Sequence, residues 1–224
     1  FGPLVALNRG AMLDPRVHIY NEDAFSFIRQ NKTLYDRIII DFPDPHSEAL
    51  SKLYAIEFYQ MVSARMQPWA VLTTQSSSPF FARRTYWTVA ETMRAVYPGV
   101  TSYTVAIPAF GVWGFHMALK TGDDVPALTD LPDGMAFLTS EVFTASQVFA
   151  ADIARPHGDL NVNSVFEPGL YQTYLRDLRT SPVERPGILY WTLGPGCAAP
   201  TGVRFPVAPA GRQTMTPPIP PPTI

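Results

Sequence analysis

Cysteine is almost absent. Cys197 is the one thiol, so no intrachain disulfide can form, and the pattern fits a reducing compartment. No apolar run reaches the roughly 18 residues that a membrane helix needs, and the first residues carry no signal-peptide pattern. The chain opens on FGPLVALNRG without an initiator methionine, which reads as a fragment or a processed product. A basic surplus is also lacking: 17 basic against 19 acidic residues give a net charge of −2. That balance argues against a nucleic-acid binder, which gathers positive charge on one face. The adjacent Arg83 and Arg84 read as a solvated helix face.

Several chemical signatures are missing too. There is no GxGxxG, no GxxxxGK[ST] and no GxSxG, which removes the dinucleotide fingerprint, the phosphate loop and the hydrolase elbow. His18, His46, His116 and His157 lie without metal-ligand spacing, so no metal site is expected. The serines of QSSSP suit a turn and a helix cap. What remains is a chain with 46% hydrophobic and 16% charged residues, a globular composition with enough length for one domain and a substantial core.

The order of elements suggests an α/β sheet. RVHIY (16–20) has strand character. DAFSFIRQN (23–31) predicts a short amphipathic helix with Asp23 at its start. YDRIIIDF (35–42) is a β-branched run of the kind buried on both faces of a parallel sheet. AIEFYQMVSARM (55–66) predicts a helix ended by Pro68, and AVLTTQ (70–75) a strand. SPFFARRTYWTVAETMRAV (78–96) predicts a long helix with Pro79 in its first turn. VTSYTVAIP (100–108) and VWGFHMALK (112–120) predict an antiparallel hairpin. The expected sheet is therefore mainly parallel with an antiparallel edge.

The pattern weakens after Lys120. TSEVFTASQVFA (139–150) and PGLYQTYLRDL (168–178) predict two more helices, the first with Glu141 in its opening turn. Eleven of the 23 prolines fall in the last 43 residues, so 179–224 reads as an irregular tail ending in a polyproline-like run. A passive tail and a ligand for an SH3-type groove are the two readings of that run.

One stretch stands out: IIIDFPDPHSEA. Ligands of open α/β sheets sit beyond the carboxyl ends of the strands, and Asp41 ends the most apolar strand. Pro43 and Pro45 hold Phe42 and Asp44 extended, which stiffens the loop. Two close carboxylates suit a cationic ligand, one pairing with an ammonium while the other accepts a proton. Gln75 ends the next strand at the same rim and offers a neutral hydrogen bond. A polar loop that merely caps a helix has the same composition, and both readings stand at this point.

The stretch IIIDFPDPHSEALSKLYAIEFY resembles the spermidine synthase family of polyamine aminopropyltransferases, which carry D-x-x-D-P after a strand and then LY…EFY. DPRVHIYNEDAFSFI, AVLTTQSSSPFF and AIPAFGVWGF are similar to further family segments in the same order, over roughly residues 5 to 178. The wording of SPFFARRTYW and FGVWGF is closest to bacterial homologues with membrane segments ahead of the synthase domain. The resemblance implies a Rossmann-like class I methyltransferase-type sheet. It also implies transfer of an aminopropyl group from decarboxylated S-adenosylmethionine, a co-substrate rather than a prosthetic group, to a diamine such as putrescine, with release of methylthioadenosine.

By the family motif, Asp41 would be the base, and Asp44, Gln75 and Tyr54 would hold the diamine. Phe110 stands where the family has a hairpin tyrosine. Asp23 and Ala24 match the segment that reads the adenine. The family also implies homodimers and a cytoplasmic enzyme, with an inner-membrane attachment of the parent chain in the related branch. Two departures follow. Ser47–Ala49 replace the usual GPA of the gating loop. The glycine-rich GGGDG turn and its ribose-binding acid are not in this chain, and two strands expected between 16–20 and 35–42 are absent with them. A catalytic domain over 1–178 is then incomplete at its N-terminal half, and RIIID becomes an exposed edge with poor nucleoside binding. A class I methyltransferase and a non-catalytic binding module are the competing functions.

Overall fold

The computed structural model describes residues 6–122, 128 and 131–180. The Pro-rich stretch read as a tail lies, beyond Thr180, outside the described residues. Helix α1 (Ala24–Gln30) leads into strand β1 (Tyr35–Ile40). Helices α2 (Glu48–Ser51) and α3 (Ile56–Ser63) connect it to β2 (Met66–Gln75). Helix α4 (Arg83–Arg94) precedes the hairpin β3 (Gly99–Ile107) and β4 (Gly111–Leu119), and α5 (Ser140–Ser146) and α6 (Leu170–Thr180) follow. Among the described residues the sheet has four strands in the order β1-β2-β4-β3. β1 and β2 are parallel, and β4 is antiparallel to both β2 and β3.

The register sorts side chains by parity. Ile38 lies opposite Leu72, Leu72 opposite Ala118, and Ala118 opposite Val100. Successive strand residues point to opposite faces, so the even-numbered residues of all four strands share one face. That face is the core. Ile40, Leu72 and Ala118 pack against Phe58 and Val62 of α3, Val89 and Met93 of α4, and Leu170 of α6. The odd-numbered face carries Ile39, Thr73, Gln75, Phe115 and Tyr103, with Gln75 opposite Phe115 and Phe115 opposite Tyr103.

Three expectations are corrected. RVHIY forms no strand; Val17, Ile19 and Tyr20 are exposed, because no strand lies beside them among the described residues to complete their backbone hydrogen bonds. The run in β1 is not buried on both faces. Ile40 packs inside, whereas Ile39 is 81% exposed at the open edge of the sheet. Pro68 does not end a helix. It lies inside β2 at an irregularity where Tyr35 and Arg37 pair with Met66 and Val71, a bulge that spares the ladder the missing proline N–H.

Helix α4 also begins later than expected. Pro79 lies in the turn before it, and the N-cap residue is Ala82, whose side chain has no acceptor. The cap comes from elsewhere in the chain: Asp177 of α6 accepts from the Thr85 backbone N–H at 2.7 Å and from its hydroxyl at 2.8 Å. Burial pushes the Asp177 carboxyl up against the opposing pull of these bonds. Asp23, which the sequence places near the start of α1, caps that helix, accepting from the Ser26 N–H at 2.8 Å.

Two buried residues lock the hairpin onto α4. An added Cβ at Gly114 would lie 2.3 Å from the Tyr86 ring and 2.8 Å from the Ser77 carbonyl oxygen, so only glycine fits. His116 is fully buried, with Nε2 2.9 Å from the Tyr86 carbonyl oxygen and Nδ1 3.0 Å from the Ser102 hydroxyl. The carbonyl can only accept, so Nε2 carries the proton and Nδ1 accepts. Burial pushes the ring down to about 3 from 6.5. Between these values the unfolded chain takes up a proton that the folded chain refuses, so stability is complete above pH 6.5 and falls as the pH drops. We expect the unfolding free energy from urea titrations to fall from pH 7 to pH 5, with a slope of up to about 1.4 kcal/mol per pH unit from this ring. His116→Gln should flatten that slope; equal slopes in the two proteins would contradict the assignment.

Candidate active site

Ile40 and Thr74 are in register at the ends of two parallel strands. Asp41 and Gln75 therefore leave adjacent strands at one rim, and both belong to the odd-numbered face. They line a cleft of about 500 Å³ together with Thr73, Phe110, Trp113 and Phe115. Its wall is largely apolar, with the hairpin on one side and the end of β1 on the other. Asp41 is exposed and accepts no hydrogen bond among the described residues. It also borders a second cleft of about 650 Å³, lined by Ala24, Phe27, Ile39 and Phe42. One carboxylate thus stands where two clefts meet.

The other predicted residues hold the loop. Gln75 is 5% exposed and every polar atom of its amide is engaged. Its Nε2 donates to the Phe42 carbonyl at 2.5 Å and lies 3.4 Å from Asp44 Oδ1. Its Oε1 accepts from the Ser77 N–H at 2.7 Å and from the Trp113 indole N–H at 3.0 Å. Ser77 adopts φ 68°, the left-handed region that a side chain disfavours, and its bond to Gln75 holds it there. Tyr54 is 1% exposed beneath the loop, its hydroxyl 3.2 Å and 3.1 Å from the Phe42 and Pro43 carbonyls. Burial, with the nearby carboxylates, raises its phenol well above the usual range, so it remains a donor.

Asp44 is partly buried behind Gln75, and its Oδ2 accepts from the Tyr174 hydroxyl at 3.0 Å. Phe110 lies at the mouth of the cleft, 60% exposed, with its ring 5.4 Å from that of Trp113. Ser47, in the place of the family's gating glycine, caps α2 through the Leu50 N–H. Asp23 stands apart at the start of α1, exposed, its carboxylate on the Ser26 N–H.

Of the residues predicted from sequence, Asp41, Gln75 and Phe110 meet in one cleft. Asp44 and Tyr54 pack behind them. Ala24 reaches the second cleft, and Asp23 lines neither. Two participants escaped sequence reading. Trp113 was detectable, because strand alternation in VWGFHM places it on the same face as Phe115. Tyr174 meets Asp44 across 130 residues, and no local pattern points to such a contact.

The fold and this rim define an α/β domain with a candidate ligand site at the carboxyl ends of its strands. The spermine/spermidine synthase domain family matches residues 4–129, more than half of the chain, and the chain belongs to that family. It is 38% identical over 180 residues to polyamine aminopropyltransferase 1 of Streptomyces coelicolor, covering 79% of this chain and 33% of the relative. A polyamine aminopropyltransferase of Oceanobacillus iheyensis is 37% identical over 173 residues, with 76% and 34% covered. The chain thus spans about a third of the length of these curated relatives.

A crystal structure of spermidine synthase in complex with the transition state analogue AdoDATO superposes with a TM-score of 0.55 at 22% identity. The superposition covers 67% of this chain and 56% of that one. Spermidine synthase from Thermotoga maritima gives 0.52, also at 22% identity, with 67% and 55% covered. These two likenesses concern the fold, and they agree with the methyltransferase-type sheet expected from the sequence.

Replacing Gln75 separates its structural contacts from any contact with ligand. Gln75→Met leaves the Ser77 N–H and the Trp113 N–H without their partner and the Phe42 carbonyl with the Tyr54 hydroxyl alone. Each buried group left unpaired costs about 1–3 kcal/mol. We expect chemical denaturation to show a clearly larger loss for Gln75→Met than for Trp113→Phe, which removes one of these bonds. Equal losses would mean that the amide does not tie the rim together.

Proposed function

We propose that the protein carrying this chain is a polyamine aminopropyltransferase. It would move an aminopropyl group from decarboxylated S-adenosylmethionine to a diamine such as putrescine. The observation that carries this reading is Asp41: a carboxylate with no hydrogen-bond partner among the described residues, where two clefts meet, beside a Gln75 amide whose polar atoms are all engaged. Family membership and the names of the relatives point the same way.

An alkyl amine titrates near ~10.4 and is protonated at neutral pH, so it must lose a proton before it can attack. Asp41 accepts that proton. The freed nitrogen lone pair then attacks the aminopropyl carbon bonded to the sulfonium. A C–N bond forms, the C–S bond breaks, and its electron pair stays on sulfur, leaving methylthioadenosine as a neutral thioether. The apolar cleft walls suit the methylene chain of the acceptor, and they exclude water that would otherwise solvate the attacking nitrogen. The second cleft, with Ala24 on its wall, lies on the other side of Asp41 and suits the nucleoside.

The test uses the longest natural chain that contains these residues, supplied with decarboxylated S-adenosylmethionine and putrescine. We expect release of methylthioadenosine, and a loss of about 10²–10⁴-fold in Asp41→Asn. Absence of release with any polyamine, or release of S-adenosylhomocysteine from S-adenosylmethionine instead, would overturn this function.

A further inference from the structure

Helix α6 presents Leu170, Tyr174 and Asp177 on one stripe, at the spacing of four and three that aligns side chains along a helix face. All three are buried, at 0%, 9% and 8% exposure. The two outer residues fix the helix. Leu170 packs into the core, and its N–H donates to Asn163 Oδ1 at 3.2 Å. Asp177 accepts both Thr85 donors at the head of α4. Asn163 in turn donates to the Ser51 carbonyl at 2.9 Å, and its own carbonyl accepts from the Ile56 N–H at 2.8 Å. The helix is therefore tied to α2, α3 and α4, the helices that follow the acidic loop.

Tyr174 sits between those two anchors. Its hydroxyl has one hydrogen bond among the described residues, to Asp44 Oδ2 at 3.0 Å. The other oxygen of Asp44 faces Gln75 Nε2 at 3.4 Å. Desolvation and the Asp44 charge hold the phenol above its ordinary range, so it stays protonated and donates. A carboxylate offers about four lone-pair positions. Two are taken, the plane of the group is set from both sides, and Asp44 stays partly exposed behind Gln75 with lone pairs that no described residue uses. The phenol oxygen, having donated, keeps lone pairs that can accept an N–H from the same ammonium.

We propose that Tyr174 is a positioning residue that orients Asp44 toward the far ammonium of the acceptor, so that the site selects amines with two charged ends over amines with one. The inference rests on the aminopropyl-transfer reading, with Asp41 at the attacking nitrogen and Asp44 at the distal one. It assigns to a helix distant in sequence a part in choosing the acceptor, and it separates that part from proton transfer.

Tyr174→Phe keeps the ring and its packing and removes only the hydroxyl. The longest natural chain is assayed with putrescine and with butylamine, a monoamine of the same carbon count. In parallel, the binding of both amines is titrated calorimetrically, which does not depend on turnover. For Tyr174→Phe we expect KM and Kd for putrescine to rise about tenfold. Neither value for butylamine should move, and kcat for putrescine should stay within about twofold. Equal losses for both amines would show a merely structural role and overturn the inference, as would unchanged putrescine binding. A parent chain that binds putrescine in this selective way but releases no methylthioadenosine would overturn the reaction and leave the role of Tyr174 supported.

Discussion

The rim of this domain depends on one amide. Gln75 ends β2 and its side chain is the common partner of three segments: the acidic loop through Phe42 and Asp44, the strained turn at Ser77, and the hairpin through Trp113. An amide suits this position because it both donates and accepts. A carboxylate would face the Phe42 carbonyl and Asp44 with no proton to give, and an apolar side chain would strand the Ser77 and Trp113 N–H groups. With the loop held in this way, Asp41 is left as the acid at the rim that is free to act.

Parity explains why the core and the site do not compete. Even-numbered strand residues enter the packed layer under α3 and α4, and odd-numbered residues face the cleft. His116 and Gly114 belong to the even set, and both serve the contact with α4: the imidazole bridges Tyr86 and Ser102, and the glycine lets the Tyr86 ring approach. Asp41, Gln75, Trp113 and Phe115 belong to the odd set. A slip of one residue in any of these strands would exchange the two sets, so the packing of the core fixes the register that assembles the site.

Much of this was legible in the sequence because it is local. The strand ending in Asp41, the strand ending in Gln75 and the hairpin all appear where periodicity and turn residues place them, and adjacent parallel strands bring their ends to a common rim. The short helix that begins beside Asp23 was equally plain. The failures share a cause, which is dependence on distant partners. The run at 16–20 has strand composition, but composition does not supply a neighbouring strand. Ile39 reads as buried because its neighbours do, yet it lies on the open face of an edge strand. The sequence placed Gln75 at the rim but could not indicate that its amide is spent on protein groups. Tyr174 looks like any aromatic on an amphipathic helix until the fold sets it beside Asp44.

The account makes Asp41 the acid that meets the attacking amine and Gln75 the tie that frees it for that role. A crystal structure of the longest natural chain with putrescine and methylthioadenosine bound tests this most directly. The account predicts one amine nitrogen within hydrogen-bond distance of Asp41 in the cleft between β1 and the hairpin, with the Gln75 amide still on Phe42 and Trp113. A diamine held by a Gln75 side chain that has left those partners, with Asp41 out of reach of either nitrogen, would contradict it.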